Sequence, residues 1–205
     1  RLHPGILARD GAEGALAAAA ISGPDADQLT RLLDRGPVTA KVNIQTDTRP
    51  NAPSGNVIAE IPGTDLPEEI VLISCHLDSW DLSPGALDDA AGCGIVVGAA
   101  KQIMALPEPP RRTIRGAEEV GLFGADAYAR RHSENLRNHV LAAESDFGAG
   151  PIWQFQTRFG EAALPYARAI QTMLMPSGGV PGNYQASGGP DIGVLRRSVV
   201  PVVTP

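Results

Sequence analysis

The chain has 205 residues, 43% of them hydrophobic and 20% charged, with a formal net charge of −6. That is enough for one or two domains with a full core, in a composition ordinary for a globular protein. The acidic balance and the lack of a long basic run argue against a nucleic-acid surface, and no apolar stretch approaches the ~20 residues of a membrane span. Aromatic residues are only 4%, so Ala, Val, Leu and Ile must build most of the core. The sequence begins at Arg1 without a signal-peptide pattern and reads as a piece of a longer protein.

In chain order, Ser22-Gly23-Pro24-Asp25 has the form of a helix start, and Ala26 to Asp34 carries apolar residues at helical spacing before Arg35-Gly36-Pro37 ends it. Lys41 to Thr46 alternates apolar and polar residues, as a half-buried strand would. Arg49 to Gly55 is a Pro/Asn/Ser/Gly loop suited to a boundary. From Asn56 the texture becomes α/β. Strands are expected at Asn56–Ile61 and at the β-branched run Ile70–Cys75, and a helix from Asp88 to about Met104, stopped by the Pro-rich Leu106–Pro110. Thr113-Ile114-Arg115 starts a strand that meets Gly116-Ala117-Glu118-Glu119 and looks too short to be central. A helix at Leu122–Arg131, strands at Val140–Ala143 and Ile152–Thr157, a helix at Ala162–Met175, a short helix at Asp191–Arg196 and a strand at Val199–Val203 complete the series. Strands alternating with helices imply a largely parallel or mixed sheet sandwiched by helices, an α/β fold.

Cys75 and Cys93 are too few for a disulfide framework. They read as two separate small buried hydrophobes, with a bridge the minority reading.

His76, Asp88, the pair Glu118 and Glu119, and Asp146 all fall at strand ends or strand-to-helix turns, where open α/β sheets bind their ligands. Each has an innocent reading. Asp88 suits a helix N-cap, the glutamates suit a first helical turn, His76 a satisfied core histidine and Asp146 a turn. Their convergence on one rim of the inferred sheet favours a shared site. Imidazole and carboxylate are ligands for zinc, a carboxylate can bridge two ions, and a paired metal site activates water and polarises a carbonyl.

The motifs HLDSWD (His76–Asp81), GALDDAAG (Gly85–Gly92), AEEVGLFGADAYA (Ala117–Ala129) and ESD (Glu144–Asp146) resemble the zinc-dependent aminopeptidase superfamily, the di-zinc exopeptidases. The HLDSWD form and ESDFG run are most similar to its plasma glutamate carboxypeptidase (carboxypeptidase Q) branch. The resemblance spans about Asn56 to Pro205 and implies a three-layer α/β/α sandwich with a mostly parallel mixed sheet. Ile21 to Thr46, with DADQLTRLL, resembles the end of the branch's protease-associated insert, so residues 1–40 are expected to be a remnant of it and 41–205 the catalytic domain. Carried over by motif, His76, Asp88 and Asp146 would hold one zinc, with Asp88 bridging to a second held by Glu119. Glu118 would be the general base and Asp78 would orient His76. The GGPDIGVLRRSVVPVV stretch resembles the segment lining the substrate pocket, making Asp191 and Tyr184 candidate substrate contacts. A peptide or dipeptide substrate, a homodimer and an extracellular, periplasmic or secreted location are implied in the same way.

The resemblance also calls for a histidine beyond the last strand to complete the second zinc site. His3, His132 and His139 match no part of that motif, so the second site is one imidazole short and the catalytic domain reads as C-terminally incomplete. Two alternatives follow: a degenerate, non-catalytic relative, or a single-zinc transferase like the glutaminyl cyclases. A binding module with a structural acidic rim is the third.

Overall fold

The computed structural model describes residues 19–43, 53–80, 83–119, 121–146, 148–198 and 200–205, with backbone alone at 117–119 and 121. The chain divides into two compact units, 1–52 and 53–205.

The first unit contains helix α1 (Gly23–Leu33). The Ser22 hydroxyl accepts from the Asp25 N–H, Pro24 occupies the first turn, and Arg31 lies in the last, where the helix dipole favours a cation. Lys41–Asn43 form no strand, and the rest of the expected strand at Lys41–Thr46 lies outside the described residues.

The second unit is built on a seven-stranded mixed sheet. Its strands are β1 (Val57–Ile61), β2 (Leu66–His76), β3 (Arg112–Glu119), β4 (His139–Glu144), β5 (Gln154–Arg158), β6 (Val180–Pro181) and β7 (Val202–Thr204), in the order β1-β3-β2-β4-β7-β5-β6. β2 runs parallel to both β3 and β4, β4 runs parallel to β7, and β1 and β5 pair antiparallel with β3 and β7. A strand covered by helices on both faces of its sheet needs apolar residues facing both ways, which is why Ile70–Cys75 is an apolar run apart from Ser74.

Four helices flank the sheet: α2 (Ala90–Met104), α3 (Gly121–Arg131), α4 (Leu164–Leu174) and α5 (Ile192–Arg196). Successive strand residues face opposite ways. Leu72 of β2 belongs to the main core with Tyr128 of α3, Ile192 and Leu195 of α5, Ala142 and Val202. Its neighbour Ile73 lines a cavity with Val96 and Ala99 of α2. The layers are therefore α2, the sheet, and α3 with α5.

Two expectations need correction. β3 does not stop at Arg115. It takes Gly116-Ala117-Glu118-Glu119 into the ladder, with Val57 opposite Glu118 on one side and His76 opposite Glu119 on the other. Pairing on both edges overrides the poor strand propensity of Gly, Ala and Glu, which reflects packing context more than the backbone. Cys75 and Cys93 are not separate side chains but a disulfide, their Cα atoms 5.1 Å apart. The end of β2 and the first turn of α2 are brought within bridging range, a proximity that an 18-residue separation hides. The two-residue β6 had no sequence signal.

Candidate metal centre

β2 ends in His76, α2 begins after Asp88 and Asp89, and β4 runs into Asp146, so all converge at the C-terminal ends of the parallel strands. Asp89 is the helix cap: its Oδ1 accepts from Gly92 N–H at 3.1 Å and its Oδ2 from His76 N–H at 3.1 Å. This ties the α2 head to the end of β2. The packing leaves no room for a side chain at Gly92, where a Cβ would lie 1.9 Å from the Ser145 carbonyl and 2.1 Å from Asp89 Oδ1. The Asp88–Asp89 peptide is cis. Burial pushes the Asp89 carboxyl up from the usual range, opposed by the N–H groups it accepts.

His76 is the hub. Its Nδ1 lies 3.0 Å from the Asp78 carbonyl and 3.2 Å from Asp78 Oδ1, both acceptors, so Nδ1 carries the proton. Its Nε2 then faces Asp88 Oδ1 at 3.0 Å and Asp146 Oδ1 at 3.2 Å. A nitrogen lone pair against two carboxylate oxygens is repulsive unless a cation lies between them. Without a metal a second proton fills that role: the Asp146 hydrogen bond holds the imidazolium, pushing His76 up to about 10 against the opposing effect of burial. A divalent cation fits the same nitrogen-and-oxygen donor set. His76, Asp89 and Asp146 each offer a donor atom within 4.8 Å of one another. Both Asp89 oxygens are already engaged by backbone N–H groups, however, whereas Asp88 is half exposed and directs its carboxylate at Nε2. Cys75 and Cys93 also cluster with Asp89, but their sulfurs are bonded to each other.

Of the other residues singled out in the sequence, Glu118 and Glu119 pair in register with Cys75 and His76 at the same end of the sheet. Asp191 is buried, 3% exposed, and its carboxyl is pushed up to about 6 by burial, opposed by the His76 charge. Tyr184 is 39% exposed in the loop after β6. That loop is held to β5 by the Arg158 guanidinium, which donates to the Gln185 and Ala186 carbonyls. His132 and His139 belong elsewhere. The Tyr128 hydroxyl bonds His139 Nε2 at 2.7 Å, and the His132 ring packs on Tyr128 with centroids 4.4 Å apart.

Two residues escaped the sequence reading. Asp89 could not be told from its neighbour, because both suit a helix head. Glu144, 1% exposed with its carboxyl pushed up to about 8 by burial, was passed over as part of a motif. A carboxylate closing the apolar strand VLAAE was itself the signal, since such a group is seldom fully buried without a partner.

An α/β sheet with a histidine–carboxylate cluster at its strand ends has the donor types and placement of a metal-binding site. The family model for Peptidase family M28 matches residues 56–200, and the chain belongs to that family. It is 35% identical over 179 residues to carboxypeptidase Q of Pongo abelii and 34% identical over 179 residues to that of Homo sapiens, covering 85% of this chain in both cases. A crystal structure of the Peptidase M28 precursor from Shewanella amazonensis SB2B superimposes with a TM-score of 0.78 at 42% identity, covering 94% of this chain. The chain spans 38% of the length of those carboxypeptidase Q proteins and 45% of the Shewanella chain.

Proposed function

We propose that this chain carries the core of a zinc-dependent exopeptidase that hydrolyses the terminal bond of a peptide or dipeptide. The observation that carries the reading is His76, whose Nε2 lone pair meets Asp88 and Asp146 in a chain of family M28. His76, Asp88 and Asp146 would hold one zinc, and Asp88 with Glu119 would serve a second. When bound, the zinc pair lowers the pKa of water and polarises the scissile carbonyl. Asp78 holds the His76 proton on Nδ1 and so keeps Nε2 free as a donor. Glu118 takes the proton of the attacking water and hands it to the leaving amine. Asp191 and Tyr184 contact the substrate. Residues 1–40 belong to the end of a protease-associated insert, and the protein works outside the cytoplasm as a homodimer. The Cys75–Cys93 disulfide supports an oxidising compartment. Among the described residues, no helix is long and apolar enough to cross a membrane.

The test is zinc content and dipeptide cleavage by the protein expressed from its full coding sequence. Near two zinc ions per chain are expected, with turnover of a dipeptide panel; one zinc and no cleavage would sink the di-zinc reading. Glu118→Gln should lower kcat by roughly a hundredfold or more with zinc retained, since general-base catalysis contributes about 10²–10⁴.

A further inference from the structure

Glu144 closes β4 two residues before Asp146 and is 1% exposed. Its Oε2 accepts from the N–H groups of Asp191 and Ile192, each at 3.0 Å, and so crosses from β4 to the start of α5. Its Oε1 is buried without a protein partner. The segment that it holds is shaped to receive it. Gly188 and Gly189 have φ of 90° and 101°, a left-handed conformation that glycine adopts without strain. A Cβ at Gly189 would lie 2.3 Å from Glu144 Oε2 and 2.7 Å from its Cδ, so only a glycine lets the carboxylate lie against that backbone. The far side of the turn is pinned by Gly188 N–H donating to the Thr204 hydroxyl of β7 at 3.0 Å. Beyond the turn, the Asp191 carboxyl is buried with its Oδ1 unpartnered, and its N–H is tied to the strand end that leads into Asp146.

A buried carboxyl group is a costly way to join two elements, because its desolvation must be offset by the bonds it accepts. Apolar packing would join β4 to α5 at lower cost but would not direct two adjacent N–H groups. We propose that Glu144 is a positioning residue: it seats the Gly188–Ile192 turn, and with it Asp191, beside the metal centre as a wall of the substrate pocket. This rests on the peptidase reading above. One strand end then serves two purposes, with Asp146 reaching His76 and Glu144 setting the turn.

The experiment compares Glu144→Ala, Glu144→Gln and Gly189→Ala in the zinc-loaded full-length protein. It measures amide hydrogen exchange at Asp191 and Ile192 with Leu72 of β2 as reference, zinc per chain, and KM and kcat on a dipeptide. In Glu144→Ala, exchange at the two amides and KM should each rise at least about tenfold, the loss of roughly one buried hydrogen bond. The kcat should change less than about threefold, with zinc and Leu72 unmoved. Glu144→Gln, whose amide oxygen can still accept both N–H groups, should restore exchange and KM. Gly189→Ala, whose Cβ would meet the Glu144 carboxyl and so unseat the turn from the other side of the contact, should reproduce the alanine variant and stands in for it if that variant does not fold. Unchanged exchange overturns the proposal, as does a fall in kcat and zinc with KM unmoved, which would make Glu144 a support of the Asp146 strand. Wild-type protein that cuts no dipeptide sinks the peptidase reading instead, and exchange in Glu144→Ala then judges the positioning alone.

Discussion

Asp88 and Asp89 are chemically identical and adjacent, yet their surroundings give them different tasks. Asp88 is half exposed and meets His76 Nε2; Asp89 is 1% exposed and accepts the N–H groups of Gly92 and His76. Removing the second carboxylate uncaps α2 and strands the His76 amide at the end of the central strand. A lost N-cap costs about 0.5–2 kcal/mol, and an unpaired buried donor adds roughly 1–3 kcal/mol. Asp89→Ala should therefore lower the unfolding free energy by about 2–4 kcal/mol in a urea titration, while Asp89→Asn, which keeps an acceptor, should lose about half as much or less.

At the scale of elements, α3 is joined to the sheet by a polar chain that runs away from the metal centre. Arg115 of β3 donates to the Tyr128 hydroxyl at 2.9 Å, Tyr128 donates to His139 Nε2, and His139 Nδ1 donates to the Asn135 carbonyl at 3.2 Å. A neutral His139 serves both neighbours, its Nε2 accepting from Tyr128 and its Nδ1 donating to Asn135, and burial pushes both His139 and His132 below the usual histidine range. The unfolded chain thus binds protons that the folded one refuses. This contribution to stability is complete above the unfolded pKa of about 6.5 and is lost as the pH falls below it, by up to about 1.4 kcal/mol per pH unit for each histidine. Between about pH 7 and 5, thermal unfolding should show the wild type losing stability relative to His139→Gln as the pH falls, superimposed on the opposite contributions of His76, Glu144 and Asp191, whose raised pKa values favour the folded state at lower pH. An equal slope in the two proteins would contradict this assignment.

At the scale of the molecule, a cation bound among His76, Asp88 and Asp146, as proposed, would join β2, the α2 head and the end of β4. A ligand that binds only the folded state stabilises it by mass action, about 2.7 kcal/mol at a hundredfold excess over Kd. For a chain of this length, that corresponds to a rise in Tm on the order of 5–10 °C. Chelation should lower the Tm by that amount, zinc should restore it, and Asp146→Asn should abolish most of the difference.

The order of strands and helices from Asn56 onward was legible because periodicity, caps and Pro/Gly breaks are local properties. His76, Asp88 and Asp146 stood out because each follows an apolar strand or opens a helix, and the structure brings all three together. Four matters depended on contacts between distant segments: the Cys75–Cys93 bridge, the inclusion of Gly116–Glu119 in β3, the separate tasks of Asp88 and Asp89, and the partner of Glu144. What the sequence by itself determined is the alternation of elements and the residue types at their ends, since backbone and side-chain preferences act over a few residues. Only the tertiary structure decided which polar groups are buried together, because desolvation and hydrogen bonding depend on neighbours up to 70 residues away along the chain.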